Sequence, residues 1–294
     1  MDESIPVLDK GFVRLVDYMG NDESIVQAAR VSYGGGTKSV REDKALIDYL
    51  MRHHHSSPFE MVEFKFHLKL PLFVFAQLVR HRTASLNAMS ARYSEMPDEF
   101  YTPESYRTQD TNNKQGSLDY LSPAWNEFPS GEVRSGSTIE YDRYQALLEH
   151  GVAREMARMV LPQNLYTEVY WKQDLHNLLH LLRLRLDPHA QWEIRQYAQA
   201  IYGIIQPIIP WTIESWENHV RQAISLSDIE QEVLVRMTEH GSFNEGSMES
   251  IINHMIEQGK ISKGYSREIR EKFRTLYFRK GLKEYQQRVL ENNV

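Results

Sequence analysis

The run from Phe64 to Arg82 limits the fold more than any other part of the chain. Phe64, Phe66, Leu68 and Leu70 alternate with Lys65, His67 and Lys69, the two-residue period of a strand with one buried face. At Pro71 the pattern changes. Pro71-Leu72-Phe73-Val74-Phe75-Ala76-Gln77-Leu78-Val79 is almost wholly apolar and opens with the residue suited to a first helical turn. A strand therefore hands over to a buried helix that delivers Arg80, His81 and Arg82 at its C-terminal end. One cation there complements the helix dipole. Here an array follows: between Arg80 and Ser94 stand three arginines, a histidine, an asparagine and three serines. Guanidinium forks, amides and hydroxyls suit phosphates and the edge of a base. The stretch reads as a polar loop carrying an anion and nucleotide site.

Around it, Ile5 to Met19 reads as a short strand or two, and Asp22-Glu23-Ser24 opens a helix that runs into Arg30-Val31-Ser32. Gly34-Gly35-Gly36 predicts a flexible loop, and residues 41–54 an amphipathic helix with Leu46, Ile47, Leu50 and Met51 on one face. Residues 96–140 are rich in Pro, Gly, Asn, Ser and Asp; Trp125 and Phe128 predict that part of this excursion packs. Helix returns over 139–160, Tyr166–Trp171 reads as extended, and Asp174–Arg185 as a strongly apolar helix. Asp187 is expected to cap, and Pro188 to open, a helix reaching about Ile205. Beyond Trp216, helical patterns around 227–239, 246–258 and 265–290 carry alternating charges and no concentration of catalytic residue types. The expectation is an α+β fold, an antiparallel sheet packed with long helices over 1–215, with a C-terminal helical extension over 216–294.

Several chemistries are set aside. The chain has no cysteine, which removes disulfides, cysteine-bound zinc, iron–sulfur clusters and a thiolate nucleophile. His53-His54-His55 looks like a metal site, but consecutive residues point to different faces, so a polar loop is preferred. His176 and His180 stand four apart on one face, yet Asn177 replaces the glutamate of a zinc protease motif and a third ligand is missing. No metal is expected. With 34 Lys and Arg against 40 Asp and Glu, the net charge of −6 argues against nucleic acid as partner and for small phosphorylated ligands. The acidic start Met1-Asp2-Glu3-Ser4 and the lack of an apolar run of membrane length predict a cytoplasmic protein with no membrane contact.

Arg80-His81-Arg82, seven residues, then Ser90 resembles the signature of the flavin-dependent thymidylate synthases. Other segments agree in order and spacing: Ala29-Arg30-Val31-Ser32, His55-Ser56-Ser57-Pro58-Phe59-Glu60, Ala157-Arg158-Met159-Val160-Leu161-Pro162, and Leu184 through Arg195. The resemblance spans roughly residues 5–215 and not the final helices. It implies synthesis of dTMP from dUMP by reductive methylation, with FAD as cofactor, methylenetetrahydrofolate as carbon donor and NADPH as reductant. That fits the missing cysteine, since the unrelated class of thymidylate synthase attacks the uracil ring with a thiolate. It also implies a homotetramer with sites shared between subunits.

Carried over position by position, the resemblance puts Gln77, Leu78, Val79, Arg80, Ala88 and Met89 on dUMP, and Ser90, Ala91 and Arg92 on its phosphate. Arg158 adds a phosphate cation, expected from a neighbouring subunit, and Arg185 polarises the pyrimidine. Ser57, Arg80, His81, Arg82, Asn87 and Ala88 are implied FAD contacts, with Asp174, Leu175, His176, His180 and His189. His55 and His189 match histidines near the flavin, and His55 joins Arg185 as a catalytic candidate. Ser90 reads as a hydrogen-bonding hydroxyl, because no ordered Ser-His-acid set accompanies it. Many relatives carry Glu where this chain has Ala88, so a flavin- or nucleotide-binding protein of the same fold with reduced turnover is the alternative reading.

Overall fold

The computed structural model describes residues 3–31, 39–111, 114–239 and 245–279, and falls into two compact units, 1–221 and 222–294. The Gly34-Gly35-Gly36 loop, Ser32 and the last part of the 265–290 helix lie outside the described residues.

The first unit is built on one antiparallel sheet. Its strands are β1 (Ile5–Val7), β2 (Gly11–Met19), β3 (Glu63–Pro71), β4 (Ser85–Ala88) and β7 (Tyr166–Asp174), in the order β1-β2-β3-β7-β4. A small hairpin of β5 (Arg107–Gln109) and β6 (Ser117–Tyr120) stands apart. The α+β expectation holds, and β3 has the predicted alternation: Phe64, Phe66, Leu68 and Leu70 are buried and Lys65, His67 and Lys69 are not. Against the buried face pack α1 (Asp22–Arg30), α2 (Val40–Arg52), α3 (Leu72–Leu78), α6 (Leu175–Arg185), α7 (Trp192–Ile205) and α8 (Pro210–Trp216). Capping boxes at Asn21 and Ser39 start the first two helices, and Arg30 pairs with Asp43 across them at 2.5 Å. On the other face, Arg14 Nη2 donates to His67 Nδ1 at 3.0 Å, which leaves Nε2 to carry the proton donated to Glu168 at 2.7 Å.

Gly11 marks a close approach. A Cβ there would lie 2.1 Å from the Tyr197 hydroxyl and 2.7 Å from the carbonyls of Lys69 and Val7. The same hydroxyl donates to Lys69 O at 2.7 Å and is nearly inaccessible to solvent. Gly11→Ala must displace that ring or the strand, and is expected to lower stability by about 2–4 kcal/mol, read from thermal unfolding.

Five expectations change. The stretch after Arg82 is not all loop, because Ser85–Ala88 forms β4 on the edge of β7. The helix expected over 139–160 is α4 (Pro123–Glu149), which begins sixteen residues earlier (residue 139 against 123) and stops at Gly151, whose φ of 78° breaks it. A four-residue α5 (Arg154–Ala157) and a 3-10 turn, Arg158–Val160, follow. Trp125 and Phe128 do not pack within the chain: they are 74% and 75% exposed. Asp187 caps no helix, since its carboxylate takes the backbone N–H and Nδ1 of His189 in a turn, and α7 starts only at Trp192. Finally, Pro71 is the extended residue before α3 rather than inside it, and α3 is half-covered, with only Val74 and Leu78 buried.

The second unit holds α9 (Asp228–Glu239), α10 (Glu245–Glu257) and α11 (Lys263–Arg279) around a core that includes Val233, Met248, Ile252, Met255 and Ile269. Among the described residues no helix is long and apolar enough to cross a membrane.

Candidate active site

Two clusters of the expected residues form, one at each end of β4. The first lies where α3 and α6 both end. His81 is buried, and Arg185, the last residue of α6, donates from Nε to His81 Nε2 at 3.0 Å and from Nη2 to the Gln77 carbonyl at 3.3 Å. The His180 ring meets His81 edge-on, 6.4 Å between centroids. Because the guanidinium can only donate, His81 Nε2 must accept, and the ring is neutral. Burial, reinforced by Arg185 and His180, pushes His81 down from 6.5 to about 4, and burial also lowers Arg185. Arg80 and Arg82 flank this pair, exposed, and among the described residues no side chain engages either guanidinium.

The His81 shift has a sign. Between about pH 6.5 and 4 the unfolded chain holds a proton that the folded chain refuses, so stability rises with pH through that window and is lost as pH falls through it. The whole shift corresponds to roughly 3 kcal/mol. Unfolding curves taken across the window for the wild type and His81→Gln are expected to differ in slope, with the variant flatter.

The second cluster gathers the expected phosphate residues. Ser90 opens a turn: its carbonyl accepts from Tyr93 N at 3.0 Å, and its hydroxyl from Arg92 N at 3.3 Å. Ala91 and Ala157 are buried together with Met96, Phe100, Tyr144 and Leu165, which brings their neighbours Arg92 and Arg158 to one place. Both arginines touch Glu155, Arg92 Nε its carboxylate at 3.3 Å and Arg158 Nε its carbonyl at 3.3 Å. Within one chain Arg158 thus stands beside Arg92, because α5 and the Ser90 turn share a core. The Arg92–Glu155 pair is half-exposed, worth little on its own, and so readily exchanged for a stronger anion.

The remaining candidates stand in neither cluster. Leu78 is buried and Val79 caps α3; Asn87 is exposed on β4, and Ala88 packs against the main core. Met89 N donates to Glu168 O at 2.8 Å, continuing the strand pairing. Asp174 caps α6, accepting from Asn177 N at 3.0 Å and from its Nδ2 at 2.8 Å, while Leu175 N donates to Val62 O at 2.7 Å. That bond ties the start of α6, with exposed His176, to the segment just after Ser57, which is itself exposed. His55 lies edge-on to Tyr49, 5.8 Å between ring centroids, and His189 is held on Asp187. Among the described residues no three His, Cys, Asp or Glu gather as a metal needs. A cavity of about 850 Å³ lies between β1, the 101–107 segment and α7, and none of the expected site residues lines it.

Residues 14–211 match the family model described as thymidylate synthase complementing protein. The chain belongs to the flavin-dependent thymidylate synthase family. A flavin-dependent thymidylate synthase from Thermus thermophilus is 61% identical over 231 residues, 79% of this chain and 84% of that protein. One from Wolbachia pipientis is 49% identical over 237 residues, 80% and 84% respectively. Among solved structures, the UMP/dUMP methylase PolB from Streptomyces cacaoi, bound with 5-Br dUMP, superposes with a TM-score of 0.68 at 31% identity, over 74% of this chain and 99% of that one.

The flavin-dependent thymidylate synthase motifs account for most of the clustered residues. Sequence reasoning missed Glu155, which joins Arg92 and Arg158, and Gln191, Glu193 and Arg107, which lie behind Gln77. Only Gln191 and Glu193 fall inside a motif, and neither stood out by charge pattern.

Proposed function

We propose that this chain makes dTMP from dUMP by reductive methylation, with FAD bound, methylenetetrahydrofolate giving the carbon and NADPH the electrons. The observation that carries the reading is Arg185, pinned by His81 and the Gln77 carbonyl beside two exposed arginines that have no described partner. A fixed cation of this kind needs no reorganisation when negative charge develops on a pyrimidine. Neutral His81 orients it without competing for that charge.

Arg80, His81, Arg82 and Asn87 would hold FAD with Ser57 and the start of α6; the donor set, rich in guanidinium and imidazole, fits a diphosphate. Reduced FAD, when bound, supplies the hydride. Asp174 acts there by capping α6, and His176, His180, His189 and His55 are exposed. Ser90, Ala91 N–H, Arg92 and Arg158 would take the dUMP phosphate, displacing Glu155 from Arg92. The chain would work as a homotetramer in the cytoplasm, in which the phosphate cluster of one copy faces the Arg185 cluster of another.

The test is product formation. Purified protein with FAD, NADPH, methylenetetrahydrofolate and dUMP should yield dTMP by chromatography, and omission of any one should abolish it. No dTMP from flavin-loaded protein would overturn the reading.

A further inference from the structure

Behind Gln77 runs a chain of side chains with a fixed polarity. Gln77 Nε2 donates to Gln191 Oε1, and Gln191 Nε2 donates to Glu193 Oε2 at 2.9 Å. Glu193 is buried, and its other oxygen accepts from Arg107 Nη2 at 2.7 Å and from the Tyr101 hydroxyl at 3.3 Å. Arg107 in turn lies over the Trp192 ring at 5.5 Å. A carboxylate held by a guanidinium is ionised and can only accept. Orientation then propagates outward. Gln191 must turn its NH2 to Glu193, so its oxygen faces Gln77. Gln77 must turn its NH2 to Gln191, so its own Oε1 faces away, and among the described residues no donor meets it. Next to it, Arg185 spends Nε on His81 and Nη2 on the Gln77 carbonyl, which leaves Nη1 as a donor. The rim thus offers one acceptor and one donor on adjoining groups.

We propose that Glu193 is a positioning residue which, through Gln191, holds the Gln77 amide with its oxygen toward the substrate, and that this selects uracil-type over cytosine-type nucleotides. A uracil ring presents an N3–H donor beside carbonyl acceptors, the complement of Gln77 Oε1 and Arg185 Nη1. A cytosine ring presents a bare N3 beside an amino group, which sets acceptor against acceptor and donor against donor. An amide free to flip would turn its NH2 to the bare N3 and remove one of the two mismatches with cytosine; an amide anchored to an ionised carboxylate keeps both. This rests on the reading of the site as a dUMP site.

The experiment is titration calorimetry of the FAD-loaded full chain with dUMP and with dCMP, for the wild type, Glu193→Gln and Gln191→Leu. Glu193→Gln keeps the size of the side chain but can donate as well as accept, which releases the polarity. Gln191→Leu cuts the relay and leaves the Glu193–Arg107 pair in place, so it stands in if Glu193→Gln fails to fold. Each variant is expected to narrow the dUMP-to-dCMP preference by about tenfold, chiefly by improving dCMP. A purely structural role would weaken both nucleotides alike and leave the ratio unmoved, and that result in Gln191→Leu overturns the proposal. Equal binding of the two nucleotides by the wild type also overturns it. No dUMP binding by the wild type removes the site reading itself and this inference with it.

Discussion

Replacing Arg185 by alanine is expected to lower kcat by about a hundredfold or more while the protein stays folded and still binds FAD. Losing one preorganised donor at a centre of developing charge typically removes about 3 kcal/mol of transition-state stabilisation. Arg185 is well placed to be such a donor because its position is set on two sides, by His81 Nε2 at 3.0 Å and Gln77 O at 3.3 Å. Arg185→Lys is expected to behave much like the alanine variant. An ammonium carries the charge but cannot reach an imidazole, a carbonyl and a ligand from one planar fork. Steady-state rates at saturating dUMP, with flavin content checked by absorbance, separate the outcomes. Wild-type kcat in Arg185→Lys would mean that bulk charge, and not the pinned geometry, matters.

The second large effect concerns Trp171. This side chain is fully buried at the middle of β7, opposite Phe66 on one neighbour and Leu86 on the other. Trp171→Ala is expected to cost about 3–5 kcal/mol of folding stability, the sum of lost apolar burial and an incompletely collapsed cavity. The indole N–H is buried with no partner among the described residues, so its removal regains part of a desolvation cost and places the loss toward the lower end of that range. The strand β4 depends on β7 for its pairing, and with it the path from Arg82 to Ser90. Chemical denaturation followed by circular dichroism measures the first effect; protection of the Ser85–Ala88 amides by hydrogen exchange measures the second. A change below about 1 kcal/mol would contradict the placement of Trp171 in the core.

What could be read from the sequence follows from where burial leaves a periodic trace. The strand β3 alternates because one of its faces is core and the other is not, and α6 is apolar because it lies under the sheet. By contrast β4 left no trace: Ser85, Leu86, Asn87 and Ala88 are exposed or half-exposed on an edge, held by backbone pairing that any sequence can make. The start of α4 is hidden by Pro129, Gly131 and Gly136, which read as loop; Pro129 stands inside the helix, past its first turn, and forgoes a backbone hydrogen bond there. Asp187 followed by Pro188 has the form of a helix start, but the His189 side chain competes for the same carboxylate and closes a turn instead. Of the site, the arginines were legible because so many cations in one polar stretch exceed what a helix end needs. The contacts that orient them were not. His81 to Arg185 and Gln77 to Gln191 join residues more than a hundred positions apart, and only the fold brings them together.

On the proposed function, flavin and deoxyuridylate share one working site built from the Arg80–Arg92 stretch and Arg185. The most direct measurement is the absorption spectrum of the FAD-loaded protein under anaerobic conditions, with NADPH added in the presence and absence of dUMP. The flavin bands are expected to bleach with NADPH and to do so faster when dUMP is present, with the dUMP effect lost in Arg185→Ala. Flavin bands that never respond to dUMP, or protein that takes up no FAD on incubation, would contradict it.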